Sequence, residues 1–186
     1  LGLSWKGIVY AEGTMRNDWS STLSAATRSY LYPSASVSFV ISELLPEVDW
    51  LSFWKLRGSW TSSKTPAGIY DINQVFSITN NAWVNLTSAS LPATIYSSDV
   101  FPESSSTWEV GTAVNLYRNR LSFDVSYYNK RMYDFLVEAE ISPATGYYNS
   151  YINIDEEITR KGVEATINGT PASCAMELTA RMSVID

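Results

Sequence analysis

Apolar and polar residues alternate along most of this chain, and the alternation breaks at intervals that alternate long and short. From Leu1 to Gly13, the residues Leu1, Leu3, Trp5, Val9 and Ala11 share one face with Gly7, while Gly2, Ser4, Lys6, Tyr10 and Glu12 take the other; Ile8 is out of step. From Ser34 to Ser42, Ala35, Val37, Phe39 and Ile41 oppose serines. Trp54, Leu56 and Trp60 oppose Lys55, Arg57 and Ser59, and Trp108, Val110 and Val114 oppose Glu109, Gly111 and Asn115. Leu121, Phe123, Val125 and Tyr127 oppose Ser122, Asp124 and Ser126. Val163, Ala165 and Ile167 then oppose Gly162, Glu164, Thr166 and Asn168, and Met176 to Val184 alternates in the same way. A period of two is the mark of a strand with two unlike faces. The pattern predicts about seven antiparallel strands, with short turns at 45–49, 118–119 and near 169–173. Long connections fall at 14–33, 61–107 and near 142–153, all at the opposite end. Tight turns at one end and large loops at the other are the layout of a transmembrane β-barrel, with periplasmic turns and extracellular loops.

Strand length supports that reading. Trp50 and Trp60 lie ten positions apart, roughly 33 Å along a strand and roughly 25 Å along the membrane normal at a ~40° tilt. That is the height of the apolar band between two aromatic girdles, so Trp5, Trp50, Trp60 and Trp108 are expected at the membrane interfaces, with Tyr127 and Tyr133 also flanking strands. A soluble β-sandwich also hides an oily face and wets a polar one. It would bury Val37, Phe39 and Ile41 and rarely carries a structureless connection as long as 61–107.

Composition narrows the classes. Thirteen basic residues against nineteen acidic ones give a net charge of -6, which argues against nucleic acid as a partner. Aromatic residues make up 13% of the chain, suiting interface girdles or a sugar-binding surface. There is no His, and Cys174 is the only cysteine. Internal disulfides, His-based catalysis and the common zinc sites are therefore excluded within this sequence. Leu1 starts and Asp186 ends inside alternating strands, so further strands are expected on both flanks of residues 1–186, because an open sheet edge in lipid leaves backbone groups unpaired.

Several short motifs occur in a fixed order: Arg16-Asn-Asp-Trp-Ser-Ser21, Tyr32-Pro-Ser34, Ser36-Val-Ser-Phe39, Ile41-Ser-Glu43 and Trp54-Lys-Leu-Arg-Gly-Ser-Trp60. Glu109-Val-Gly111, Asn119-Arg-Leu121, Asp124 with Tyr127-Tyr-Asn-Lys130, Asp134-Phe-Leu136 and Lys161-Gly-Val-Glu164 follow. This run resembles the C-terminal half of the SusC/RagA family, TonB-linked outer-membrane transporters of Bacteroidetes, over residues 14–168. One departure is Asn153-Ile-Asp-Glu-Glu157, which intervenes before Lys161. The resemblance implies an all-β fragment of a 22-stranded barrel in the outer membrane, with the plug, TonB box and terminal aromatic strand outside this sequence. It implies uptake of glycan or peptide with a SusD-like lipoprotein as lid, TonB as the energy source, outer-membrane lipid as solvent, and neither cofactor nor enzymatic step. By themselves the motifs have architectural explanations: Pro33 shapes a strand entry, Gly58 and Gly111 ease curvature, and Lys161-Gly162 leads a loop into a strand.

Catalytic and metal chemistry finds little footing. The acidic pairs Glu138 with Glu140 and Glu156 with Glu157 suit solvated loops, and Asp71-Ile-Asn73 lacks the Gly and distal Glu of a calcium loop. Tyr70, Phe76 and Trp83 sit among Asn and Gln in the longest connection, a composition suited to contacting substrate or a lid protein. Two other readings stay open: a soluble carbohydrate-binding β-sandwich, and a small complete barrel serving as an adhesin or pore.

Overall fold

The computed structural model describes residues 1–186 except 47, 70–74, 84–85, 98, 171–177 and 186, and describes 81–83 and 178–185 by backbone alone. Eight strands form one antiparallel meander: β1 (Gly2–Trp5), β2 (Val9–Trp19), β3 (Ser29–Val40), β4 (Leu51–Thr65), β8 (Glu103–Leu116), β9 (Leu121–Tyr133), β12 (Ile158–Gly169) and β13 (Leu178–Ile185). The remaining strands lie in the long connections. They are β5 (Ser77–Trp83), β6 (Leu86–Ser90), β7 (Thr94–Ile95), β10 (Phe135–Glu140) and β11 (Asn149–Ile154).

The sheet has eight strands where alternation predicts seven, because residues 1–13 are a hairpin. Lys6 and Gly7 both take positive φ (50° and 71°), and the Ile8 amide donates to the Trp5 carbonyl at 2.9 Å. Trp5 pairs with Val9, so the chain reverses without changing which parity is apolar. The misfit Ile8 belongs to this turn. At the other tight turn Tyr117, Arg118 and Asn119 are all left-handed.

The strands also outrun their oily stretches. β2 and β3 stay paired up to Trp19 and Ser29, and β4 and β8 up to Thr65 and Glu103. The connections shrink to 20–28 and 66–102, and the latter contains β5, β6 and β7 rather than being structureless. Pro33 lies inside β3, where that strand pairs with β2 alone, since the β3–β4 ladder begins at Ser34. Its missing N–H therefore costs no ladder bond. Gly162 lies well inside β12 rather than at a loop exit.

This is one layer of sheet. Leu3, Ala11, Val37, Gly58, Val110, Tyr127 and Val163 are successive cross-strand neighbours, yet Val37 is 38%, Val110 54% and Val163 43% exposed. The accessible surface is 13097 Å², against about 8,900 Å² for a compact monomer of this size. Among the described residues the buried hydrophobic cluster, Leu23, Ala67 and Val100 with Tyr30 and Leu136 against it, involves the long-connection end rather than the apolar face. The sandwich reading fails here, since Val37 and Phe39 stay exposed and no second layer covers them among the described residues. β1 and β13 are the two edges of the sheet and do not pair, so the chain does not close into a small barrel either.

Candidate functional site

The polar face carries an ordered network rather than scattered solubilising groups. Arg57 on β4 reaches across β8 to Asp124 on β9. Its Nη1 and Nη2 donate to the two carboxylate oxygens at 2.8 and 2.7 Å, and its Nε lies 3.7 Å from Glu109. Two parallel bonds to one carboxylate fix the guanidinium plane. The reach depends on Gly111, the cross-strand neighbour of Arg57: a Cβ there would sit 2.9 Å from the guanidinium carbon. Gly111 thus supplies a flat bed for Arg57, a more specific role than strand curvature. One row toward the long connections the device recurs. Tyr128 on β9 lies across Gly162 on β12, where a Cβ would come within 2.6 Å of the ring. Motifs far apart in sequence, W-K-L-R, E-V-G, the Asp124–Lys130 run and K-G-V-E, therefore meet on one patch.

At the long-connection end two loops are clamped together. Asn153 Nδ2 donates to the carbonyls of Phe101 and Asp134 at 3.0 and 2.9 Å, and its Oδ1 accepts from the Phe101 amide at 2.7 Å. β7 joins β10–β11 as a parallel third strand, and the Thr94 hydroxyl donates to Glu138 at 2.6 Å. The segment that departs from the resembled pattern, 153–157, thus holds the long 66–102 connection in place. Glu157 is held by Arg131 through two bonds of 2.7 and 2.6 Å, which with the nearby Thr159 hydroxyl keep its carboxyl below the usual range.

Of the four tryptophans expected at the interfaces, Trp5 and Trp50 stand at the tight-turn end of the sheet, whereas Trp60 and Trp108 lie five residues inside the long-connection ends of β4 and β8. Trp60 and Trp108 are paired neighbours toward the long connections, and the Trp108 ring lies 5.3 Å from Tyr127 on the apolar face. Trp5 precedes the Lys6 turn, with the Lys6 ammonium 5.0 Å from its ring, and Trp50 lines an apolar hollow with Leu45, Pro46, Val48, Leu51 and Trp54. Phe76 is 60% exposed. Tyr70, Asp71–Asn73, Cys174 and the Trp83 side chain lie outside the described residues. Among the described residues no group of three or more His, Cys, Asp or Glu is placed to hold a metal ion. Arg57, Asp124, Tyr128 and Asn153 were not singled out as site residues by sequence reasoning; the only signal for them was their presence in, or beside, the ordered motifs.

Comparison with known proteins fits this geometry. Residues 5–184 match the family described as TonB dependent receptor-like, beta-barrel. TonB-dependent receptor P3 of Formosa agariphila is 24% identical over 163 residues, which cover 83% of this chain and 16% of that protein. The structures of the RagAB peptide transporter and of the RagAB peptide importer in its "closed-closed" state align with a TM-score of 0.87 at 23% identity, over 99% of this chain and 21% of theirs. The siderophore receptor PirA from Pseudomonas aeruginosa aligns at 0.65 with 11% identity, over 99% of this chain and 32% of that one. The chain thus spans about a sixth of the curated relative and about a fifth of the RagAB chains. The resemblance read from the motifs is borne out in family and in fold, and the apolar and polar faces are those of an outer-membrane barrel wall in a Gram-negative bacterium. The chain belongs to the TonB-dependent receptor-like β-barrel family.

Proposed function

We propose that this chain is wall and outer loops of a TonB-dependent importer that takes up peptide or oligosaccharide beneath a SusD-like surface lipoprotein, without breaking a bond in its cargo. The observation that carries the reading is the pairing of an uncovered apolar face with an ordered polar face in one sheet layer. A receptor wall needs lipid on one side and a hydrated, shape-keeping lumen on the other. Trp60 and Trp108 would mark the outer headgroup level and Trp5 and Trp50 the periplasmic one. Tyr70, Phe76 and Trp83 would face cargo or lid from the 66–102 connection. RagAB, whose fold this chain shares, is named a peptide importer, which makes oligopeptide the first cargo to try.

The test is accumulation of labelled oligopeptides and oligosaccharides by cells carrying the full transporter and its lipoprotein, with and without TonB. TonB-dependent accumulation of either cargo is expected, and uptake indifferent to TonB would reject the proposal. Full uptake by the Trp83→Ala transporter would remove Trp83 from the recognition surface.

A further inference from the structure

The polar face holds one feature that the ion pairs above leave unexplained. Lys130 on β9 and Arg160 on β12 are direct cross-strand partners. They share the face of Tyr128, because the ladder runs without a register shift from Gly162–Tyr128 to Arg160–Lys130. Like charges directly opposite on one face repel and destabilise the pairing. The ion pairs among the described residues use Arg16, Arg57 and Arg131, and neither Lys130 nor Arg160 joins one. Glu109, across the ladder from Tyr128, is already drawn to Arg57. Lys130 and Arg160 are therefore cross-strand neighbours on the lumen face, and among the described residues no carboxylate forms an ion pair with either. Directly below them Tyr128 lies over Gly162, a buried glycine, so that the tyrosine offers a flat ring beside the positive pair.

We infer that Lys130, Arg160 and the Tyr128 platform form a lumen subsite for a carboxylate-bearing solute: the carboxylate sits between the two cations and its adjoining ring or apolar part lies on Tyr128. A singly charged group suits the site better than a phosphate dianion, because Glu109 and Glu164 stand on the same face as near neighbours by register. Aromatic faces take sugar rings and apolar side chains alike, so a uronic-acid oligosaccharide and an acidic peptide share the required chemistry. The inference rests on the importer reading and names the class of its cargo.

The experiment uses the full transporter with its lipoprotein in detergent, and two matched probe pairs: trigalacturonate against its methyl ester, and a Glu-containing hexapeptide against its Gln counterpart. Binding is measured by calorimetry for wild type, the double variant Lys130→Gln with Arg160→Gln, and Lys161→Gln, whose residue shows the opposite parity. In wild type at least one acid probe is expected to bind about tenfold more tightly than its neutral counterpart, the worth of two partly exposed charge pairs. That preference should vanish in the double variant and survive in Lys161→Gln. Whichever probe pair shows it identifies the source. Equal binding of acid and neutral forms in wild type, or an acid preference that persists in the double variant, overturns the subsite. Loss of thermal stability in the double variant without any acid preference in wild type would assign the cations to a wall or plug contact and equally overturn it. TonB-dependent accumulation of the four probes is scored separately: accumulation blind to charge sinks this inference alone, whereas uptake indifferent to TonB sinks the importer reading.

Discussion

Replacing Val125 with Arg tests which face meets lipid. Val125 lies on the apolar face of β9, two residues from Tyr127 and four from Leu121, and is 39% exposed in the isolated sheet. At ~3.3 Å per residue and a ~40° tilt, it stands roughly 5 Å below the Tyr127 level and roughly 10 Å above Leu121. An arginine near the bilayer midplane of a barrel costs about 2–4 kcal/mol. The nearby aromatic level lets the guanidinium snorkel, so the low end applies, about 2 kcal/mol, or about a thirtyfold shift in the unfolding equilibrium. The control is Thr166→Arg. Thr166 pairs with Asp124 one step along the same β9–β12 ladder, on the polar face, where an added cation meets carboxylates; a change within about 0.5 kcal/mol is expected. The assay is the guanidinium midpoint of the full transporter reconstituted in lipid. Equal costs for the two substitutions, or a Val125→Arg change within about 0.5 kcal/mol, would refute the assignment of faces.

Two further outcomes follow from the outer loops. Asn153→Ala removes two hydrogen bonds between the 66–102 connection and the β10–β11 hairpin, and a third to the Asp134 carbonyl at the start of that hairpin. At about 0.5 kcal/mol for each of the two exposed bonds to Phe101, amide exchange at Phe101 and along β7 should quicken about fivefold, and unchanged exchange would mean the clamp is idle. Arg131 lowers the Glu157 carboxyl below its ordinary value of 4.5, so the pair's contribution is complete above that value and is lost as pH falls through the depressed one. Protection of the Ile158 amide should therefore decline below about pH 4.5 in the native protein and lose that dependence in Glu157→Gln; the same pH profile in both would show that another group governs the site.

Much of the wall was legible in the sequence because lipid imposes a strict rule on alternate residues. Val37, Phe39, Val110 and Val163 declare their face one by one. What the rule misses is whatever lies outside lipid or leaves parity intact. The Lys6–Gly7 reversal is silent because Trp5 and Val9 keep the same parity on either side of it. β2 runs on through Arg16, Asn17 and Asp18, where water imposes no oily alternation but the ladder continues. The Arg57–Asp124 fork is invisible for another reason: its partners are 67 positions apart and become neighbours only through two ladders and the gap at Gly111. The ordered motifs supplied the residues without their contacts. They include Lys130, while Arg160 stands immediately before the last of them.

The β4–β8 ladder runs from Leu51 opposite Leu116 to Thr65 opposite Glu103 and joins strands separated by residues 66–102. Closing that span costs about 2 kcal/mol more chain entropy than closing the turn at 117–120. The seam with the longest register is thus among the slowest to nucleate, and assembly is expected to form one group of strands on each side before they knit along β4 and β8. Cysteines at Gly58 and Val110, placed on facing positions of that seam, should crosslink later during insertion than a pair at Thr112 and Val125; the reverse order would show that the wall closes from the seam outward.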